Sequence, residues 1–228
     1  MLSVIVPILN EERVLETLGD NLAALSRPVQ VIFVDGGSSD SSRATAHRFG
    51  EVLSSPPGRA RQMNLGVSAA RSEVLLFLHA DCLLSPDAPV AIERALANPR
   101  CVGGCLTQVF PPNLPQPLFD WIAFGGNLRA RLSRTFFGDQ AIFCRTDVFH
   151  RLGGFPDLPI YEDLEFSRLL NRAGLTTVLS TPVFSSPRRW LQHGFLLTTL
   201  VDWQVHLGRT LGLPPDRLAR LYRRTDAR

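Results

Sequence analysis

The sequence predicts one α/β domain with a mostly parallel central sheet flanked by helices. In the first half, short apolar runs of strand length alternate with longer stretches of helical periodicity. Strands that alternate with helices pair in parallel, because each helix carries the chain back across the sheet. The composition, 45% hydrophobic and 20% charged over 228 residues, is that of an ordinary globular protein with a sizeable core.

The first half contains three predicted helices between and beside its strands. Apolar runs predict strands at 2–7, 29–35 and 73–78, with room for a further short strand before the third helix. Leucines at helical spacing predict the first helix, serine caps the second, and a glycine turn opens the third. These helices are predicted at 10–25, 39–49 and 59–70.

The second half is less regular, and no linker in it is long enough to divide the chain. Strands are predicted at 102–109 and 140–145, an amphipathic stretch at 118–134, and a helix at 162–174 that ends at Gly174. A proline-rich loop covers 110–117 and a turn 153–155, and two final helices are predicted at about 190–211 and 214–224. We therefore predict a main domain over 1–190 and a helical appendage over 191–228.

Composition excludes several function classes. All 24 basic residues are arginine, which excludes a lysine Schiff base and a lysine-bearing phosphate loop. The net charge of +3 is too small to indicate a nucleic-acid partner. The four cysteines lack zinc-site spacing, which predicts reduced thiols in a cytoplasmic protein. Charged residues within the apolar stretch 194–213 make it a poor membrane span.

Polar side chains follow the ends of the predicted strands, where ligands bind in such sheets. His79 and Asp81 close the run "VLLFLHAD", and residues two apart on an extended chain point to the same side. They could hold a divalent ion and a nucleotide, or simply end a buried strand. Asp35 opens the turn "VDGGSSD", which could bind a ligand or only connect a strand to a helix.

Three further clusters carry charge. Arg59 and Arg61 open a helix after a glycine turn, where they could bind an anion or stay solvated. Glu162 and Asp163 start the helix at 162–174, where acids could supply a general base or only complement the helix dipole. A third group, "RRW" at 188–190, could bind a diphosphate.

Taken in order, these motifs resemble the family 2 glycosyltransferases, inverting enzymes of the GT-A fold. The resemblance runs through "SVIVPILNEE", "VDGGSSD", "GRARQMNLG", "LLFLHAD", "GDQAIFCRTDVFHRLGGF", "YEDLEFSRLL" and "SSPRRW". Three segments, "GRARQMN", "GDQAIF" and "RRW", look like a bacterial subgroup labelled arsenosugar-biosynthesis or carotenoid-type glycosyltransferases. The resemblance implies a nucleotide-binding half over 1–109 and an acceptor half over 110–190.

The resemblance implies a role for each site residue. Pro7, Asn10, Glu11, Asp35 and Arg61 would lie along the nucleotide of a donor sugar, most simply a UDP- or GDP-sugar.

Asp81 matches the last acid of the family's D-x-D motif and would bind Mn²⁺ or Mg²⁺ on the diphosphate. His79 stands where that motif has its first aspartate and would touch the nucleotide. Asp163, or else Glu162, would be the base that deprotonates an acceptor hydroxyl. Arg189 would stabilise the leaving diphosphate, although the usual glutamine of Q-x-x-R-W is absent here.

The acceptor is less defined by the sequence. Aromatic residues around 110–124 and 190–203, with the basic stretch "RLARLYRR", are compatible with a lipid-like acceptor and a peripheral contact with the inner face of the membrane. The same residues could equally form core and solvated surface. Two other functions stay open: a nucleotidyltransferase and a non-catalytic nucleotide-sugar-binding protein.

Overall fold

A computed structural model of the chain describes residues 1–112, 116–223 and 225. Within these residues eight strands form one mixed sheet in the order β3-β2-β1-β4-β7-β6-β8-β5, which confirms the predicted α/β class. The strands are β1 (Leu2–Ile8), β2 (Gln30–Asp35), β3 (Glu51–Ser54), β4 (Val74–Phe77), β5 (Cys82–Leu84), β6 (Cys101–Val109), β7 (Ile142–Arg145) and β8 (Leu175–Ser185).

Ten helices accompany the sheet in the described part of the chain. Residues 138–140 add one 3₁₀ turn before β7. The helices are α1 (Glu12–Ala23), α2 (Ser42–Ala46), α3 (Arg59–Ser68), α4 (Ala88–Leu96), α5 (Gln116–Ser133), α6 (Thr146–Leu152), α7 (Glu162–Ala173), α8 (Arg188–His193), α9 (Phe195–Thr210) and α10 (Pro215–Tyr222).

The first four strands of the order, β3, β2, β1 and β4, are parallel. Every residue of β1 is buried, as expected for a central strand covered on both faces, which explains why all of its residues but Ser3 are apolar. In the register between β1 and β2, Ile8 lies opposite Asp35, so the two strands end together. The loops after them therefore open at the same edge of the sheet.

The other half of the sheet contains elements that the sequence did not predict. β7 is antiparallel to both β4 and β6, whereas β6 runs parallel to β8, and β5 is antiparallel to β8. β8 escaped prediction because its sequence, "LTTVLSTPVFS", mixes hydroxyl residues and a proline with few apolar ones. Helices α4 and α6 and strand β5 were also missed.

Two predicted helices differ from the observed ones, and the predicted loop and domain boundary stay predictions. The helix predicted at 39–49 is only the five-residue α2. The helix predicted at 190–211 is broken at Gly194, whose φ of +80° ends α8 and separates it from α9. The predicted loop 110–117 includes residues 113–115, which lie outside the described residues. The expected domain boundary at residue 190 falls inside α8.

The core lies on both faces of the sheet, because alternate strand residues point to opposite sides. Val4 and Val6 of β1 pack on the face covered by α1 and α4, whereas Ile5 packs on the face covered by α3 and α7. The four cysteines are buried and free, as predicted. A separate small cluster packs α9 and α10 against the start of α7; its buried members are Ile160, Tyr161, Leu164, Val201, Val205, Leu218 and Ala219.

Candidate functional site

The ends of β1 and β2 are held together by a buried glutamine of α3. The side-chain Nε2 of Gln62 donates to the carbonyl oxygens of Ile8, at 2.9 Å, and Val34, at 2.7 Å. Gly36 permits this approach, because a Cβ there would lie 3.0 Å from the Gln62 Nε2. The amide therefore fixes the spacing of the two loops that carry the first predicted site residues.

Asn10 and Asp35 are joined through Ser38. The Asn10 backbone N–H donates to the Ser38 hydroxyl at 2.9 Å, and that hydroxyl donates to Asp35 Oδ1 at 2.6 Å. Asn10 has a φ of +55°, which asparagine tolerates better than most residues, and its side chain accepts from the Ser39 N–H at 2.9 Å. Pro7 is buried in β1, opposite Val34. The structure thus brings three of the five predicted nucleotide residues, Pro7, Asn10 and Asp35, to one edge.

Glu11, the fourth, is a buried acid that pairs with an arginine from the far end of the chain. Arg188 donates to its two carboxylate oxygens at 2.8 and 3.2 Å. The same guanidinium lies 3.4 Å from Asp81 Oδ2. Arg188 thereby joins the loop after β1 to the segment after β4.

Arg189, predicted to face the diphosphate, is directed elsewhere. Its guanidinium donates to Asp202 at 2.8 Å and to the carbonyl oxygen of Thr225 at 3.1 Å, and lies 4.2 Å from the centroid of the Tyr222 ring. The arginine that reaches the acids is its neighbour, Arg188. Adjacent residues of a helix point about 100° apart, so only one of the two can face the site.

Arg61, the fifth predicted nucleotide residue, is also held by a residue outside the predicted site. It pairs with Asp157 at 2.9 Å, and both side chains are more than half exposed. Within the described part of the chain it makes no hydrogen bond to Asp35. The neighbouring Arg59 instead turns inward, towards Glu162.

His79 and Asp81 lie in the short connection between β4 and β5. The His79 ring packs on the backbone of Gly138, where an added Cβ would be 2.2 Å from its Nε2. Asp81 is partly buried and contacts Arg188. Among the described residues, no group of three histidine, cysteine or acidic side chains is placed to hold a metal. One carboxylate still fits a hard divalent ion that is bound mainly by diphosphate oxygens, the usual arrangement for Mg²⁺ with nucleotides.

The acidic pair at the start of α7 divides into two environments. Glu162 is buried and forms an ion pair with Arg59, whose Nε lies 2.8 Å from its Oε1. Asp163 accepts the backbone N–H groups of Gly138 and Leu164, each at 2.7 Å. Burial, and then the adjacent Glu162 charge, raise the pKa of Asp163 to about 7, although Arg59 and the two N–H groups oppose the shift. Asp163 is therefore a carboxylate suited to exchanging a proton near neutral pH.

A further acid was missed because its motif, "GDQAIF", was noted without assigning it a role. Asp139 lies in the 3₁₀ turn and accepts from Gln108 Nε2 at 2.7 Å. Burial raises its pKa, and the Asp81 charge adds to the shift. Its other oxygen is buried and has no hydrogen-bond partner in the described residues. The only sequence signal was an acid beside a glycine directly before a predicted strand.

Sequence comparison identifies one family. The model of the family described as glycosyl transferase family 2 matches residues 3–155. No curated protein matches the chain by sequence.

Solved structures are similar to this chain over most of its length. The mannosyltransferase PcManGT from Pyrobaculum calidifontis, solved with GDP-Man and Mn²⁺, has a TM-score of 0.71 at 20% identity, covering 96% of this chain and 68% of that one. S. aureus TarS 1–349 has a TM-score of 0.61 at 18% identity, covering 88% of this chain and 64% of its own. The present chain thus spans less than two thirds of that TarS structure.

A third similar structure is glucosyl-3-phosphoglycerate synthase from Mycobacterium tuberculosis, solved with Mn²⁺, UDP and glucosyl-3-phosphoglycerate. Its TM-score is 0.60 at 18% identity, covering 94% of this chain and 81% of that one. At these identities the similarity concerns architecture. The architecture is the GT-A fold that the sequence predicted.

Proposed function

The chain belongs to glycosyl transferase family 2, and we propose that it transfers a sugar from a nucleoside-diphosphate donor to an acceptor hydroxyl. One observation supports this most directly: Asn10, Glu11, Asp35 and Asp81 meet at the carboxyl ends of β1, β2 and β4, linked through Ser38 and Arg188. Ligands of open α/β sheets bind at that edge. Two similar structures were solved with UDP-GlcNAc and GDP-Man, which favours a UDP- or GDP-sugar here.

In the proposed complex the nucleotide lies along the loops that follow β1 and β2. Asn10 and Asp35 would orient the base and ribose, Pro7 would line the floor, and His79 would contact the ribose. Arg61 would reach the base only after leaving Asp157, a surface pair that costs little to break. We also propose that the chain belongs to the bacterial arsenosugar-biosynthesis or carotenoid-type subgroup that "GRARQMN", "GDQAIF" and "RRW" resemble.

The diphosphate would lie beside Asp81. A divalent ion, Mn²⁺ or Mg²⁺, held by Asp81 and the diphosphate oxygens would supply charge neutralisation for the leaving group. Arg188 is the guanidinium already at Asp81, so we assign to it the diphosphate contact that the sequence suggested for Arg189.

The proposed chemistry is a single displacement that inverts the anomeric centre. Asp163 removes the proton of the acceptor hydroxyl, the hydroxyl oxygen bonds to the anomeric carbon, and the bond from that carbon to the diphosphate oxygen breaks. A pKa of about 7 for Asp163 suits this role, whereas Glu162 is engaged by Arg59. Glu162 then acts by position, holding Arg59 and raising the Asp163 pKa.

A lipid-like acceptor and a peripheral position on the cytoplasmic face of the membrane complete the proposal. Helices α5 and α9 each expose a row of large apolar side chains at helical spacing, and arginines of α10 lie beyond them. No helix of the described residues combines the length and apolarity that crossing a membrane requires. The exposed residues of the two rows are Leu118, Trp121, Phe124, Leu128, Leu132, Leu196, Leu197, Leu200, Trp203, Leu207 and Leu211.

Calorimetric titration with UDP, GDP, CDP and dTDP, with and without Mn²⁺, tests the donor site. We expect one nucleotide to bind more tightly with Mn²⁺ and the Mn²⁺ effect to disappear in Asp81→Ala. Absence of binding by all four would overturn the proposed donor site. Product analysis distinguishes a glycosyltransferase from the two alternative functions. A nucleotidyltransferase releases pyrophosphate, and a non-catalytic binding protein releases no nucleoside diphosphate above background.

A further inference from the structure

A cleft of about 570 Å³ lies where the C-terminal helices meet α7. Its walls come from α5, α7, α9 and α10, so it exists only because the final helices fold back onto the domain. Three arginines, one histidine and one tyrosine supply its polar lining. These five lining residues are Arg129, Tyr161, Arg168, His206 and Arg209.

Arg129 is the least expected of these, because it is largely buried and forms no direct ion pair in the described residues, although the charges of Asp139 and Asp163 act on it from beyond ion-pair distance. Its guanidinium donates to the carbonyl oxygen of Thr135 at 2.8 Å and to Gln140 Oε1 at 3.3 Å, and lies 3.7 Å from the centroid of the Phe137 ring. In the described part of the chain no carboxylate lies within ion-pair distance of it. Burial lowers its pKa, and the charges of Asp139 and Asp163 only partly oppose that shift. An anion placed in the cleft would offset that cost.

The other two arginines of the cleft have one direct ion-pair partner between them in the described residues. Arg168 and Arg209 both contact one carboxylate, that of Glu165, so two cations share a single anion. Beside them the Tyr161 hydroxyl and His206 Nδ1 lie 3.2 Å apart and hydrogen-bond. A second anion could therefore be accepted without displacing Glu165.

We propose that this cleft binds the phosphate or carboxylate group of an organic anion, with Arg129 and Arg209 as its charged ligands. Tyr161 and His206 would add neutral hydrogen-bonding groups, since burial lowers the His206 pKa and keeps the ring uncharged at neutral pH. Guanidinium groups suit phosphate and carboxylate because they donate two parallel hydrogen bonds.

The anion has a natural place in the reaction. Tyr161 and Leu164 line the cleft on either side of Glu162 and Asp163 in the chain, so an anchored anion would lie next to the turn that carries the proposed base. We assign the anion to the acceptor, and this assignment rests on the proposed glycosyl transfer. Binding of the anion in the cleft does not depend on that transfer, so binding and function can be tested separately.

The test is a calorimetric titration with inorganic phosphate and with glycerol phosphate at constant ionic strength. Wild-type protein should bind both saturably. Arg209→Gln and Arg129→Gln should each lower the affinity about tenfold or more, the loss expected for one charged hydrogen-bonding group. Arg172→Gln, an exposed arginine of the same α7, is the matched control and should bind as wild type.

Arg188→Gln separates this cleft from the donor edge, where phosphate could also bind. Affinity lost in Arg188→Gln but kept in Arg209→Gln would overturn the proposal, as would an absence of saturable binding. Circular dichroism checks that Arg129→Gln folds. If that variant does not fold, the phosphate affinity of Arg209→Gln alone tests the proposal. Nucleotide titration of the same proteins reports on the donor site independently.

A second experiment identifies whether the anion belongs to a lipid or to a soluble phosphate ester. His206 and Thr210 line the cleft, whereas the residues that follow them, Leu207 in α9 and Leu211 directly after it, are exposed and apolar. A lipid phosphate could therefore place its head in the cleft with its tail along α9. Co-sedimentation with phosphatidylcholine vesicles that contain phosphatidic acid, weakened in Arg209→Gln, would identify a lipid. Binding of glycerol phosphate without such co-sedimentation would identify a soluble phosphate ester.

Discussion

Arg188 and Glu11 form a bidentate ion pair between residues 177 positions apart in the chain. Glu11 is buried, and the guanidinium that covers it extends to Asp81, the acid proposed to lie at the diphosphate. A donor that binds there can exchange the longer Asp81 contact for one to its phosphates while the Glu11 pair persists. The pair therefore holds the guanidinium in position before any ligand arrives.

This arrangement predicts unequal effects for two neighbouring arginines. Arg188→Gln should lower kcat/KM at least about tenfold, because it removes a charge beside the leaving group. Arg189→Gln should reduce kcat/KM less, since the contacts it loses go to Asp202 and Thr225 and not to the proposed donor site. Steady-state kinetics of both variants provide the comparison. Equal kinetic losses would contradict the assignment.

The acids of α7 should also behave differently. Asp163→Asn should reduce kcat by about 10²- to 10⁴-fold with little change in nucleotide affinity, because it removes only the proposed base. Glu162→Gln should chiefly destabilise the fold, by about 1–3 kcal/mol, since the charge paired with Arg59 is lost from a buried site. Rate assays and urea unfolding distinguish the two. A fully active Asp163→Asn would exclude that residue as the base.

The raised pKa of Asp163 predicts the pH dependence of the reaction. A base must be deprotonated, so kcat/KM should rise with pH and level off above about 7. In stability terms, the folded state binds this proton more tightly than the unfolded chain does. The stabilisation is complete below the ordinary pKa of 3.8 and is lost as pH rises through about 7.

Asp163→Asn should therefore gain stability relative to wild type as pH rises. Urea unfolding of both proteins at about pH 5 and about pH 8 measures this, with the larger advantage expected at the higher pH. An advantage that shrinks with pH would mean that the Asp163 pKa is not raised.

Gly138 offers a test of His79. In Gly138→Ala the new methyl group would lie 2.2 Å from His79 Nε2, so the ring must move away from its place beside the proposed nucleotide. We expect nucleotide affinity to fall about tenfold, the scale of one lost hydrogen bond to a ligand. Gly125→Ala in α5 is the control, because a Cβ there meets no atom within 4 Å. Unchanged affinity in Gly138→Ala would argue against a nucleotide contact by His79.

Much of the donor edge could be predicted from sequence alone. Strand ends in a parallel sheet meet at one edge, so acids that follow successive apolar runs, such as Asp35 and Asp81, had to converge. What could not be predicted was the direction of side chains on helices. Nothing in "RRW" tells which arginine faces the site, because the rotation of α8 is set by packing of Trp190 against Phe110 and Phe119.

The cleft lined by Arg129 and Arg209 could not be predicted from the sequence, for a related reason. Arg129 lies in an amphipathic stretch, where the pattern favours a solvated arginine. It is buried only because Phe137 and the C-terminal helices cover it. Likewise β8 is held in the sheet by backbone pairing with β6 and β5, and its apolar residues are interrupted by hydroxyl residues and a proline, which hides the strand in the sequence.

The position of β8 also bears on how the chain folds. β5 pairs with β8 in the register of Cys82 with Ser185, a contact between residues about a hundred positions apart. The segment that carries Asp81 is thus anchored early through β4 but late through β5, since long-range pairing is slow to form. During refolding, burial of the parallel strands should precede nucleotide-binding competence, so a kinetic intermediate would contain the first half of the sheet without a working donor site.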